Sequence, residues 1–288
     1  MQTEPTFLTL LDVTYSYRTT AAVVDTVSWC IPKGAVHCLV GRSGCGKTTL
    51  LKLAAGLLLP DTGAVWHNEI PVTAPASDVG FVFQTPCLLE WLSVLDNVLL
   101  PISLTQSVQK TDRDKANAVL GLVGLEGYGY RYPEQLSGGQ QSRVALARAL
   151  ITDPACLLMD EPFAALDALT REELQDDFLH LVHAHNTSVL FVTHDIPEAV
   201  YLGDKVAVME GGKIVSETPI SLNRPRRPDL KYNDQFNILC RNIRGAMAAR
   251  HTRHRGAALP GLVCLRCLFF AALFCFGKRQ CFERVCQK

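Results

Sequence analysis

Apolar and polar positions alternate with period two at 7–13 and again at 24–31, the pattern of half-buried strands. Both are predicted to lie in an antiparallel outer sheet, with Tyr15-Ser16-Tyr17-Arg18 between them. Pro32-Lys33-Gly34 reads as a turn, and the apolar run 36–40 as a buried strand that feeds a helix over 47–57. Pro60-Asp61-Thr62-Gly63 turns the chain into a short strand at 64–67, and Asn68-Glu69 reads as a tight turn. A compact apolar strand at 79–83 ends in Gln84, and an irregular linker follows over 85–95. From 94 to 123 the period is helical, with a polar break at 105–112; after Gly124, Gly127 and Gly129 the Ala-, Arg- and Leu-rich run 141–150 is again a helix. Short buried strands are expected at 156–159 and 188–192 on either side of a helix over about 170–184. A short helix at 197–202 and a hairpin of 205–209 with 213–216 close the pattern.

Four of the apolar strands end in polar residues. Val40 runs into a glycine loop, Phe83 into Gln84, Met159 into Asp160-Glu161, and Val192 into Thr193-His194. Ligands of open α/β sheets bind beyond the carboxyl ends of the strands. All four groups are therefore expected at one edge of one sheet. The loop itself, Gly41-Arg42-Ser43-Gly44-Cys45-Gly46-Lys47-Thr48-Thr49, has the G-x-x-x-x-G-K-T spacing of a phosphate-binding loop between strand and helix. Its backbone N–H groups and the helix dipole favour negative charge at one spot. Lys47 is placed to reach the β- and γ-phosphates, and the Thr48 hydroxyl to join Mg²⁺. A second potential anion site is Leu136-Ser137-Gly138-Gly139-Gln140, at the start of the helix after it.

Composition changes the picture mainly at the end of the chain. The 288 residues are 48% hydrophobic and 19% charged, ample for a packed core, and the formal net charge is zero. That balance hides a split: residues 1–240 carry 18 Lys/Arg and 27 Asp/Glu, whereas 241–288 carry 10 Lys/Arg against Glu283 alone. An acidic body gives no support to nucleic-acid binding. Cys30, Cys38, Cys45, Cys87, Cys156 and Cys240 are scattered as reduced cytosolic cysteines are, while Cys264, Cys267, Cys275, Cys281 and Cys286 crowd the tail. No secretory signal is visible, and no run before residue 257 approaches the ~20 apolar residues of a membrane helix. The body is expected to be soluble and cytosolic. The stretch 257–276 is nearly all apolar but broken by Pro260-Gly261 and Arg266. A surface helix, a marginal anchor and a frame-altered end all fit it, and its composition favours the last.

Taken together, GRSGCGKT (41–48), Gln84 after an apolar strand, LSGGQ (136–140), CLLMDEP (156–162), Ala165-Leu166-Asp167 and His194 resemble the nucleotide-binding subunits of ABC transporters, over residues 6–217. The resemblance implies an α/β fold, a P-loop NTPase (RecA-like) core with an antiparallel β subdomain and an inserted helical signature subdomain at about 86–152. A C-terminal extension at 218–245 and the tail 246–288 would follow. It implies ATP and Mg²⁺ as ligands, with Thr48, Gln84 and Asp160 at the metal. Glu161 would be the general base, His194 would contact the γ-phosphate, and Gln84 would sense it. Tyr17 would stack on adenine, although Tyr15 is close enough for either ring to belong to the core. Ser137, Gly139 and Gln140 would close over ATP held by a second copy, with Asp167 at the seam between the two. Transmembrane permease subunits, and indirectly a solute-binding protein, are the other implied partners, at the cytoplasmic face of the cell membrane.

Within the family, FVFQTPCLLEW (81–91), Asn97-Val98, Leu100-Pro101 and Ser221-Leu222-Asn223-Arg224-Pro225-Arg226 resemble the nitrate/sulfonate/taurine importer group, and importers of a thiamine-pyrimidine precursor look similar. Thr48, Glu69 and Glu90 stand where that group often has Ser, Gly and Pro. Thr48 keeps the hydroxyl, Glu69 is a mild turn cost, and Glu90 bears on partner choice. A soluble ABC ATPase of translation or DNA repair usually doubles the unit or inserts a long coiled coil, neither of which is present. A silent regulatory module would not need Lys47, Glu161 and His194 together, and another phosphate-loop enzyme such as a kinase leaves LSGGQ unexplained.

Overall fold

The two cleanly alternating segments, β1 (Thr6–Tyr15) and β2 (Val24–Pro32), pair antiparallel as expected. The chain then forms β3 (Val36–Gly41), α1 (Lys47–Ala54), β4 (Thr62–His67) and the two-residue β5 (Ile70–Pro71). Asn68 and Glu69 join β4 to β5 with φ of 46° and 68°. Two successive positive φ angles make the hairpin turn that Asn tolerates and Glu resists. β2-β1-β4-β5 is one sheet of four strands. The computed structural model describes residues 5–18 and 21–248. From residue 249 the basic tail, with its apolar stretch and five cysteines, lies outside the described residues.

The second sheet has six strands, in the order β10-β9-β3-β8-β7-β6. β6 (Val79–Val82), β7 (Cys156–Asp160), β8 (Ser188–Thr193), β3 and β9 (Lys205–Glu210) run parallel, and β10 (Lys213–Pro219) pairs antiparallel at the edge. Every residue of β3, β7 and β8 is buried, which is why these strands read as continuous apolar runs. Period two still sorts their side chains. Val36, Cys38, Val40, Leu157, Met159, Val189 and Phe191 face one core; Leu39, Leu158, Leu190 and Val192 face the other. The first core is covered by α2 (Val94–Ser103), α3 (Lys110–Leu122), α4 (Gly138–Leu150), α5 (Ala168–Ala184), α6 (Ile196–Leu202) and α7 (Asp234–Ala248). The second holds α1 and the inner face of the antiparallel sheet. At eight residues α1 is too short to persist alone. Leu50, Leu51 and Leu53, each fully buried, contribute about 1.5–3 kcal/mol apiece and hold it.

Several boundaries move for local reasons. The helix expected over 47–57 ends at Ala54, because Gly56 takes φ 71° and the Leu57 N–H turns back to Lys52 O at 2.9 Å. β6 stops at Val82, and the Phe83 ring lies tilted by 43° against that of Phe81, with centroids 4.3 Å apart, instead of continuing the strand. α4 begins at Gly138, three residues before the apolar periodicity does. α7 seats Phe236, Cys240 and Ile243 in the first core against α6, so the chain to Ala248 is one compact unit. Among the described residues no helix is long and apolar enough to cross a membrane.

Candidate functional site

The glycine loop joins β3 to α1, and its shape is enforced from behind. Gly44 and Gly46 have φ of 78° and 107°, a region that side chains resist. A Cβ on Gly46 would meet Val23 O at 2.4 Å, and one on Gly41 would meet Met209 O at 2.4 Å. The loop is therefore pressed against Val23, the residue before β2, and against Met209, whose β9 is Lys205–Glu210. Lys47 is buried, and its Nζ donates to Gly41 O at 2.8 Å and Arg42 O at 3.0 Å. The ammonium is thus held over the loop by its own backbone carbonyls. Tyr17 meets the same helix start: its hydroxyl lies 3.3 Å from Thr49 Oγ1, and its ring, 43% exposed, stands edge-on to Tyr15 at 5.0 Å. Tyr15 packs on the second core. Of the two rings, Tyr17 is the exposed one.

β7 lies one strand beyond β8 from β3 and delivers Asp160 and Glu161. Asp160 is 4% exposed and accepts from the Thr48 hydroxyl. Burial pushes its carboxyl up; the Thr48 bond pulls it down, Glu161 raises it, and Lys47 lowers it. A buried carboxylate short of positive charge beside a hydroxyl is an oxygen-only donor set, which fits a hard divalent cation such as Mg²⁺. Glu161 has φ 47°, unusual for a side chain of its size, and its N–H is fixed to Val192 O at 2.9 Å. That kink turns its carboxylate from the strand toward β8, where His194 Nδ1 lies 3.0 Å from Glu161 Oε2. The Glu161 side chain is 17% exposed and that of His194 65%.

Gln84 leaves the sheet two residues past the Val82–Met159 pair and is exposed. What shapes its segment comes from elsewhere in the chain. Arg148, on α4, donates to Pro86 O at 2.7 Å and Cys87 O at 2.8 Å. Asn97, fully buried in α2, accepts from Leu89 N–H at 2.8 Å and donates to the carbonyls of Leu89, Leu92 and Ser93. The linker after Gln84 is irregular in dihedrals but pinned at both ends. Asn97 left a signal, a polar residue inside the apolar run 94–100. Arg148 left none, since it reads as one more arginine on a helix surface.

Ser137 caps α4. Its Oγ accepts from Gln140 N–H at 3.3 Å, and the Gln140 side chain accepts from Ser137 N–H at 3.0 Å. This reciprocal pair is a capping box, and it explains the early start of the helix. The S-x-x-Q spacing that identifies it was already in the sequence. Ser137, Gly139, Gln140 and Arg143 line a concavity with Asp167, the N-cap of α5, whose carboxylate accepts from Thr170 N–H at 3.1 Å. No residue of 41–49 lines it. The structure thus brings the glycine loop, Asp160, Glu161 and His194 to the strand ends of one sheet, with Tyr17 against the start of α1, while Ser137, Gly139 and Gln140 line a concavity that includes no residue of the loop.

Residues 24–164 match the family model described as ABC transporter. The chain is 39% identical over 245 residues to the bicarbonate transport ATP-binding protein CmpD of Synechocystis, covering 82% of this chain and 86% of that one. It is 44% identical over 218 residues to the aliphatic sulfonates import ATP-binding protein SsuB of Escherichia coli K12, covering 76% and 83%. Among solved structures it resembles the ATP-binding cassette MJ0796 in a dimeric post-hydrolysis state bound to ADP and Pi, with a TM-score of 0.69, 31% identity, and coverage of 75% of this chain and all of that one. Shared length, shared fold and a phosphate loop seated at the strand ends agree, and the chain belongs to the ABC transporter family as one of its ATP-binding, ATP-hydrolysing cassettes.

Proposed function

We propose that this cassette energises an importer of a small anionic solute from the cytoplasmic face of the membrane, as a peripheral subunit beneath a permease fed by a solute-binding protein. The observation that carries the solute class is the pair of relatives: one is named for bicarbonate and the other for aliphatic sulfonates, both anions. The ATPase itself does not meet the solute, so the reading is tested by uptake. A strain lacking the gene should lose accumulation of radiolabelled sulfonate or bicarbonate and regain it with the intact chain but not with Lys47→Ala. Normal uptake of both anions in the deleted strain would sink the proposal.

In this reading Tyr17 stacks on adenine, and the N–H groups of Arg42, Ser43, Gly44, Cys45, Gly46, Lys47, Thr48 and Thr49, with Gly41 at the turn, cradle the phosphates. Lys47 exchanges the carbonyls it now holds for phosphate oxygens. Thr48, Asp160 and Gln84 hold Mg²⁺, which neutralises charge developing between the β- and γ-phosphates when bound. Glu161 takes a proton from the attacking water, and His194 donates to the γ-phosphate. Ser137, Gly139 and Gln140 serve the nucleotide of a second copy. What supports this division is that they line a concavity shared with Asp167 and with no part of the chain's own phosphate loop.

A further inference from the structure

A line of polar side chains runs from the turn that carries His194 into the C-terminal part of the chain. Thr193 donates its hydroxyl to Glu198 Oε2 and accepts from Asp195 N–H at 3.0 Å. Asp195 Oδ1 accepts from Glu198 N–H at 3.1 Å. These bonds fix the backbone on either side of His194. Glu198 is 7% exposed, and its other oxygen accepts from Gln175 Nε2, itself in a residue 2% exposed, at 3.0 Å. Gln175 Oε1 in turn accepts from Lys231 Nζ at 3.2 Å. The same ammonium reaches Glu172 Oε1 at 3.0 Å and stands 4.6 Å over the Tyr201 ring. Lys231 lies in a 3₁₀ turn, Pro228–Tyr232, just before α7.

The line has a fixed direction. An ammonium only donates and a carboxylate only accepts, so the amide between them has one orientation that satisfies both. Turned over, Gln175 would set its NH₂ against the ammonium and its carbonyl against the carboxylate. Every hydrogen bond from Lys231 to Asp195 N–H is therefore oriented by the two charges, and the buried charge of Glu198 is met on both oxygens.

We propose that Lys231, Gln175 and Glu198 are positioning residues for His194. Lys231 sets the Gln175 amide, Gln175 and Thr193 hold the Glu198 carboxylate, and Glu198 holds the Thr193–Asp195 turn that presents the imidazole. Turnover of ATP then depends on a side chain that lies outside the 6–217 cassette and 67 residues past the end of the matched family segment at 164. The inference rests on His194 acting at the γ-phosphate, so its test separates the two.

The test uses the full chain with Lys231→Met, Lys231→Arg, His194→Ala and the Lys231→Met/His194→Ala pair. Met keeps an apolar stem over Tyr201 and removes the donor. Lys231→Met is expected to lower kcat about three- to thirtyfold with KM for ATP little changed and the thermal midpoint lowered, since the buried Gln175 amide oxygen loses its donor, and Lys231→Arg to restore most of both losses. In the His194→Ala background Lys231→Met should add nothing. In nucleotide-free protein with ¹⁵N-labelled histidine, Lys231→Met should move the His194 signal and leave that of His67, on the other sheet, in place. An equal loss in both backgrounds, or an unmoved His194 signal, overturns the proposal. Normal turnover in His194→Ala would instead overturn the role of His194, while the imidazole signal would still report whether Lys231 positions it.

Discussion

His194 Nδ1 stands 3.0 Å from Glu161 Oε2, so the two residues nearest the expected chemistry hold each other. An ionised carboxylate has no proton to give, so the imidazole donates from Nδ1. In the neutral ring that leaves Nε2 as an acceptor, the wrong polarity for a phosphate oxygen. The ring can offer its Nδ1 proton to a phosphate oxygen only by turning away from Glu161. ¹⁵N spectra of the nucleotide-free protein should report a proton on Nδ1 of His194; protonation at Nε2 alone would contradict the assigned bond.

Glu161→Gln keeps the shape and loses the proton acceptor. Its kcat should fall at least about a hundredfold, with ATP binding retained and a dimer trapped that elutes early in gel filtration with ATP. Normal hydrolysis by this variant would remove Glu161 from the role of base.

The gathering of groups at one sheet edge was legible in the sequence because it is local: each group sits at the end of a strand whose apolar run announces it. Val40, Met159 and Val192 mark three of those ends directly, and parallel order does the rest. The capping box was equally local, three residues apart, yet the apolar periodicity pointed to 141 as the helix start. What could not be read were links across long separations. Arg148 meets Pro86 across 62 residues and Lys231 meets Gln175 across 56. Neither donor differs, along the chain, from a solvated surface cation, and only the folded path gives it a partner.

Ser137 has two roles that substitution can separate. Ser137→Ala loses the cap and should cost about 1 kcal/mol of stability, read in urea unfolding. Ser137→Asp restores a good cap but sets a carboxylate where a partner's phosphate is expected. Its stability should match the parent while ATPase activity falls at least about tenfold, since a donor toward transferring phosphate is worth that much or more. Retained activity in Ser137→Asp would limit Ser137 to capping. For the same reason specific activity should rise with protein concentration, because the half-site of one copy turns over slowly.

Arg148 should matter beyond its helix. Burial holds its guanidinium below the usual arginine range, yet it spends two N–H groups on Pro86 and Cys87 carbonyls. Arg148→Ala leaves those carbonyls to solvent and frees the segment after Gln84. A loss of roughly 1–3 kcal/mol is expected, with faster hydrogen exchange over 85–89. Lys, with no planar fork, should recover only part of it. Unchanged exchange over 85–89 would show that the linker is held by Asn97 alone.

Acid stability should trace to His37. It lies in β3, 3% exposed, its ring stacked on Trp29 at 5.6 Å and its Nδ1 without a partner. Burial first, and Lys205 second, push its pKa down to about 4, against partial opposition from Asp204 and Glu217. The folded chain therefore keeps this imidazole neutral while the unfolded chain protonates it near 6.5. A group with a lowered histidine pKa contributes nothing to pH dependence above about 6.5, then costs stability as pH falls toward 4, up to roughly 3 kcal/mol. His37→Phe keeps a ring against Trp29 and removes the proton site. Between pH 6.5 and 4 its unfolding free energy should fall less steeply than the parent's, whatever the variant's absolute stability at pH 7. Parallel slopes in denaturant titrations across that range would assign the acid response to other groups.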